Sequence, residues 1–205
     1  MLNRFRLGIA KKKVIKAIDE NISTTESSIK EFSKLLSDFK KHNYHRHNSF
    51  FNLCIFSDIA GMDLIILLEK IRIADRPYEK KLYARVIAVI IIDFLDNINL
   101  LLGRDCLNEL KDNNMTEFID KFKTINKNFS NFKKHNEKIL RDIRNNTIAH
   151  KSKDALTLNE KINNLNVEDV YEFGLEFQNH VKGFIDLSTE IVYYILDYMR
   201  EGRKL

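Results

Sequence analysis

Tyr83-Ala84-Arg85-Val86-Ile87-Ala88-Val89-Ile90-Ile91-Ile92-Asp93-Phe94-Leu95-Asp96 is the stretch on which the fold class turns. Residues 86–92 form an unbroken apolar run, and by side-chain propensity alone such a run suits a buried strand. It lies, however, inside a segment from Tyr83 to Leu102 that has no turn residue for about five helical turns. That length predicts the central helix of a bundle, buried on most sides, with Gly103 as its C-terminal stop. The same residues argue against a membrane span, because Arg85, Asp93 and Asp96 would sit in hydrocarbon.

The rest of the chain agrees with a helix at its centre. Its 205 residues include one proline and six glycines, and apolar residues recur at helical spacing almost throughout. An all-α, single-domain, up-and-down helical bundle is expected. Residues 1–42 read as an N-terminal helical extension and residues 43–205 as the bundle. Charged residues make up 31% of the chain and are interspersed, which excludes a disordered polyelectrolyte. A net charge of +5 and a pI near 9.0 suit a polyanionic partner without requiring one. Cys54 and Cys106 form neither a disulfide framework nor a zinc spacing, so a reducing cytoplasm is the expected compartment. The basic N-terminus, with Arg4, Arg6 and Lys11 to Lys13, lacks the apolar stretch of a secretory signal, and no membrane partner is expected.

The elements read as follows. A first helix is expected from Leu2 to Asp19. Ser23 and Glu26 then form a capping box for a second helix with Ile29, Phe32, Leu35, Leu36 and Phe39 inward. Phe50 to Ile73 reads as an apolar helix with Phe51, Cys54, Ile55, Ile59, Met62, Ile66 and Leu67 on its packed side. Asp75 and Pro77 mark the next start. Asn114 to Glu117 reads as a capping box, and Ser130 or Asn131 as the start of a further helix reaching His150. Residues 154–166 are polar and Asn-rich, the best loop in the chain, and a last helix runs from Val167 to Arg200 with Val170, Phe173, Phe177, Val181, Phe184, Ile191 and Ile195 inward. His42, His45 and His47 are close enough to suggest a metal. They lack a carboxylate or thiolate companion, and Lys41 and Arg46 would repel a cation. A solvated or nucleic-acid-facing turn is the expectation, with no metal and no cofactor.

Chemistry concentrates in Arg141-Asp142-Ile143-Arg144-Asn145-Asn146-Thr147-Ile148-Ala149-His150-Lys151. A guanidinium clamps phosphate, and an imidazole moves a proton near neutral pH. On an ideal helix Ile139, Ile143, Asn146 and His150 share a stripe, while Arg144 and His150 stand about 120° apart. One copy therefore makes a poor catalytic dyad. Asp93 and Asp96 fall on one face of the central helix and need cationic partners, for which Arg85, Arg141 and Arg144 are available. The chain shows no Gly-rich phosphate loop and no Cys–His nucleophile pair, which disfavours ATPase and cysteine hydrolase chemistry.

Arg144-Asn145, then His150 with five residues between arginine and histidine, resembles the signature of the HEPN superfamily (higher eukaryotes and prokaryotes nucleotide-binding domains). Tyr83-Ala-Arg85, the apolar run, Asp93-Phe-Leu-Asp96 and Leu102-Gly103 look like the central helix of a bacterial branch of it. The resemblance covers roughly residues 45–151. It implies a dimeric α-helical bundle and a metal-independent ribonuclease of a toxin–antitoxin or anti-phage system. Arg144, His150 and Asn145 would be the catalytic residues, supported by Asp93, Asp96, Arg85 and Arg141. Lys133, Lys134, Lys138, Lys151 and Lys153 would contact RNA. Partners would be RNA, a second copy of the chain, and an antitoxin or defence-complex protein. A non-catalytic RNA- or nucleotide-binding adaptor is the other reading.

Overall fold

Two asparagines in the left-handed backbone region set the first corners of the chain. In the computed structural model, which describes residues 2–100, 104–149 and 154–200, Asn43 and Asn114 have φ of 53° and 58°. Each closes a helix the same way. At the first, Tyr44 N–H reaches Phe39 O at 2.8 Å and Asn43 N–H reaches Lys40 O at 3.2 Å; at the second, Met115 N–H reaches Leu110 O at 2.8 Å and Asn114 N–H reaches Lys111 O at 3.1 Å. This paired pattern satisfies the last carbonyls of a helix, and Asn tolerates the positive φ it requires. Phe39 and Tyr44 add the edge-on ring contact, 4.8 Å between centroids, that often accompanies it.

The helices are α1 Leu2–Lys41, α2 Asn48–Ile73, α3 Pro77–Leu100, α4 Cys106–Asp112, α5 Ile119–Arg144, α6 Ala155–Asn163 and α7 Val167–Arg200. A 3-10 turn at Thr116–Phe118 precedes α5 and a π-turn at Asn145–Ala149 follows it. No strand occurs among the described residues, so the apolar run at 86–92 is helical. Its expected stop, Leu102-Gly103, lies outside the described residues.

α2, α3, α5 and α7 form an up-and-down bundle. Each packs on the next, and α7 closes back on α2. The direction follows from pairs of contacts: Asp93–Arg144 with Asp96–Arg141, Phe122–Phe184 with Phe129–Phe177, and Gly61–Val181 with Leu68–Gly174 each run antiparallel. Phe94, Phe129, Phe132 and Phe177 fill the centre, with ring centroids 5.2 to 5.5 Å apart. Gly174 lets α7 approach α2, because a Cβ there would fall 2.8 Å from Leu68 Cδ2. α2 is long and apolar enough to cross a membrane. In this fold α1, α3, α4 and α7 all pack on it, and burial accounts for the same composition.

Several expectations are corrected. α1 is one 40-residue helix, about 60 Å long, with no break at Ser23. Thr24 and Ser27 donate their hydroxyls to the carbonyls of Glu20 and Ser23 at 2.9 and 3.0 Å, so these polar residues continue the helix instead of capping one. Ser130 and Asn131 are interior to α5, and Asn114 closes α4 instead of capping α5, which opens as expected near Phe118, through the Thr116–Phe118 turn. Residues 154–166 are not a loop. Asp154 caps α6, accepting from Leu156 N–H at 3.0 Å and Thr157 Oγ1 at 2.6 Å, and Ile162 anchors it by burial. On α2 the packed side differs from the one expected. Ile59 is 42% exposed, whereas Ser57, Asp58, Ala60 and Gly61 are buried.

The start of α2 is held from a distance. The Glu109 carboxylate accepts the N–H groups of Ser49 and Phe50 at 2.8 and 2.9 Å, satisfying donors that the helix leaves unpaired. Asn113 Nδ2 adds a bond to Arg46 O at 2.7 Å. The histidine cluster does not converge. His42 and His45 are exposed, while His47 is 1% exposed, with Tyr44 and Phe51 rings about it. Burial, then the charge of Arg46, lowers its pKa to about 4, so it is neutral at physiological pH.

Candidate nucleic-acid interface and active site

α3 and α5 run antiparallel, and acids three residues apart on one face arginines three residues apart on the other. Arg144 Nη2 lies 3.1 Å from Asp93 Oδ1. Arg141 engages both oxygens of Asp96, with Nη1 donating to Oδ2 at 3.1 Å, and Glu137 accepts from its Nε at 2.7 Å. Lys133 Nζ completes the cluster, 3.6 Å from Asp96 and 3.8 Å from Glu137. This is a ladder of charge-assisted pairs along one seam, with forked geometry at Arg141. The Arg141 hydrogen bond holds the Asp96 carboxyl below the usual carboxylate range, and Asp96 raises Arg141 in return. The seam is half in water, since the side chain of Arg144 is 27% exposed and that of Asp93 is 52% exposed.

Arg85 does not join the seam. It is 6% exposed and turns to backbone, with Nε donating to Lys81 O at 3.2 Å and Nη1 to Thr147 O at 3.4 Å. Its guanidinium also lies over the Tyr78 ring, 5.8 Å from the centroid. Arg85 thus ties the middle of the π-turn to α3. Thr147 Oγ1 donates to Ile143 O at 2.6 Å, and the buried Thr147 side chain fixes the turn from its inner side.

The π-turn begins at Asn145, directly after Arg144, and runs to Ala149. Single π-turns widen the helix locally and recur at functional sites. It also voids the ideal-helix angle between Arg144 and His150, because the register changes between them. His150, Lys151 and Lys153 lie outside the described residues. On the other side of the turn is a cavity of about 360 Å³ whose walls include Ile139, Ile143, Asn146, Asn166 and Asp169.

Lysines on α5 divide by face. Lys133 is spent on Asp96 and Glu137, whereas Lys134 and Lys138 are exposed. Together with the exposed Lys127, and continuing through Arg141 to Asn145, they fall within about 60° of one another on the helix. This basic stripe is about 27 Å long by the helical rise and ends at the π-turn. Lys127 was missed from sequence because its place on the stripe required α5 to be one helix across Ser130. Asn145 is half-buried at the end of the stripe, and its backbone N–H bonds Arg141 O and Asp142 O. Among the described residues no group of three or more histidine, cysteine or carboxylate side chains is placed to hold a metal. Cys54 and Cys106 are free and buried, and burial raises both thiols, which makes them unreactive.

No family model matches the chain. No curated protein and no solved structure shows significant similarity to it.

Proposed function

We propose that this chain is an endoribonuclease that works without a metal, using the Arg144-to-His150 segment in pairs across a homodimer. The observation that carries the reading is the row of Lys127, Lys134 and Lys138, exposed on one face of α5, which leads past the paired Arg141 to Arg144, Asn145 and the π-turn. A row of cations along one helix face positions a polyanion without reading its sequence. At the end of that row stands a guanidinium able to stabilise the charge that builds on a scissile phosphate. His150 would take a proton from the 2′-hydroxyl or give one to the leaving oxygen. Attack by an internal 2′-hydroxyl needs no metal and selects RNA over DNA. Asn145 would hold Arg144 or the phosphate, and Asp93 would orient Arg144 until substrate arrives. Two copies meeting about a two-fold axis would supply the partner group that one copy lacks. Such an enzyme would act in a reducing cytoplasm, as its two free cysteines suit, and would belong to a toxin–antitoxin or anti-phage system with an antitoxin or defence-complex partner, as the HEPN-like segment suggests.

The test is cleavage of labelled single-stranded RNA by the purified chain in EDTA, beside the His150→Ala variant. Cleavage should be present and should fall by roughly 10²- to 10⁴-fold in the variant. Absent cleavage, or cleavage indifferent to His150, overturns the reading. A second reading, a non-catalytic RNA-binding or adaptor subunit, is favoured by the pairing of Arg141 and Arg144 with Asp96 and Asp93, which neutralises both guanidiniums. Tight RNA binding without cleavage over long incubation would select it.

A further inference from the structure

A cavity of about 670 Å³ lies away from the α3–α5 seam, between α1, α2 and α7. That is within the range of small-molecule sites, about 300 to 1,000 Å³. Asp58 lines it and is 5% exposed. A buried carboxylate normally has a cation beside it. Among the described residues none forms an ion pair with Asp58, and the Ser28 hydroxyl donates to its Oδ2 at 2.7 Å. Burial raises the Asp58 carboxyl, and the Ser28 bond only partly offsets this. The Gln178 side chain also lines the cavity, and its Oε1 is buried without a hydrogen-bond partner.

The sequence of α1 fits a wet cavity. The positions turned toward the bundle are Ile18, Ile22, Thr25, Ser28, Phe32 and Leu36, by their spacing and partial or full burial. An otherwise apolar stripe is interrupted by Thr25 and Ser28 where it passes Asp58. The polar stretch around Ser23 is therefore a cavity wall, not a helix break. Glu20 lies at the far end of that wall, eight residues from Ser28 and roughly 12 Å along the helix. Met62, Ile65 and Ile185 supply apolar surface. Glu20, Asp58 and Asp186 outnumber the single lysine, Lys182, which is exposed.

We propose that this cavity binds a linear aliphatic polyamine, with Asp58 as the anchor for one ammonium group. An ammonium has three donors and no acceptor. It meets the Asp58 carboxylate and the Ser28 hydroxyl oxygen beside it. The methylene chain lies on Met62, Ile65 and Ile185, and a second ammonium reaches toward Glu20, displacing its exposed, weak pair with Lys16 at 3.5 Å. Two anionic ends with apolar surface between them match an extended triamine better than a compact cation. The proposal is independent of the ribonuclease reading.

The experiment is calorimetric titration of the full chain with spermidine at moderate salt, with the melting temperature followed alongside. Saturable binding and a raised melting temperature are expected. Asp58→Asn, nearly isosteric, should weaken binding at least ten-fold while keeping the helical circular dichroism. Thr25→Phe, which fills the cavity and leaves the carboxylate in place, should weaken it as well. A flat titration overturns the proposal. So does binding that both variants retain in full, which would mark attraction to surface charge.

Discussion

The α3–α5 seam and the α1–α2–α7 cavity both place aspartates on helix faces, and they treat them in opposite ways. At the seam, Asp93 and Asp96 stand at the water's edge with arginines across from them. In the cavity wall, Asp58 is withdrawn from solvent with a hydroxyl for company. The environments push the two titrations apart: Asp96 falls below the ordinary carboxylate range and Asp58 rises above it. A carboxylate with a guanidinium is a positioning device, whereas one without a cation is a demand for one. The comparison separates where this chain orients its own cations from where it has room for a foreign one.

The largest effect expected is at the seam. Arg144→Ala should reduce RNA cleavage by roughly 10²- to 10³-fold, yet change unfolding free energy by less than about 1 kcal/mol, since the Asp93 pair is largely solvated. Chemical denaturation beside the cleavage assay checks both. A large loss of stability would make the seam a structural feature and remove the contrast.

The buried side should dominate acid sensitivity. His47 has a folded pKa of about 4 against an unfolded value near 6.5. The unfolded chain takes up the proton first, so stability falls as pH drops from about 6.5 toward 4. The loss should approach roughly 3 kcal/mol at the low end. Urea titrations at pH 7 and pH 5 would measure it, and His47→Leu should flatten the difference. An unchanged slope in that variant would move the acid response elsewhere.

Next comes the tether of the π-turn to α3, at the end of the seam. Arg85→Ala should cost about 2 kcal/mol, through lost packing and the unpaired Thr147 carbonyl. It should also speed amide exchange in residues 145–149 more than in α3. Uniform exchange would mean that Arg85 does not specifically tether the π-turn.

The smallest effects test the comparison most directly, because their signs oppose. Asp58 has a raised pKa, so its ionised form weakens the fold above that pKa. Asp58→Asn should be more stable than the parent at pH 7, with the advantage fading as pH falls to about 4. Asp96 has a lowered pKa, so it contributes stability above about pH 4 that is lost as pH falls through its folded value. Asp96→Asn should be less stable at pH 7 and converge with the parent in acid. Melting temperatures of the three proteins from pH 3 to pH 8 should show the curves diverging from the parent in opposite directions.

Much of this was legible in the chain. The run at 86–92 was readable as helix because its surroundings lacked turn residues, and Val170, Phe177, Val181, Phe184, Ile191 and Ile195 were readable as one packed face of α7. The acids Asp93 and Asp96 were recognisable as needing partners, and three arginines as candidates. The assignment of each was not. Arg141 and Arg144 took the acids because antiparallel packing brings equal three-residue spacings into register, and Arg85 took a carbonyl because it faces the π-turn. Local polar clusters misled at Ser23, at Asn114 and at residues 154–166, where a capping-like or loop-like composition is also compatible with helix interior, helix exit or helix. α2 misled differently: a helix packed on several sides has no single apolar stripe, so the burial of Asp58 and exposure of Ile59 could not be read from periodicity.

What the sequence determined by itself was the class of structure and the chemistry in reserve: helices from apolar spacing and scarce turn residues, and an Arg–Asn–His segment beside a basic helix. These follow from local preference and residue type, which act within a few turns of chain. What only the tertiary structure decided was which charges meet and which are left alone. Asp96 and Arg141 are 45 residues apart and Ser28 and Asp58 are 30 apart. A carboxylate's energy depends on the groups and water within a few ångströms of it, and the packing of the bundle chooses those neighbours.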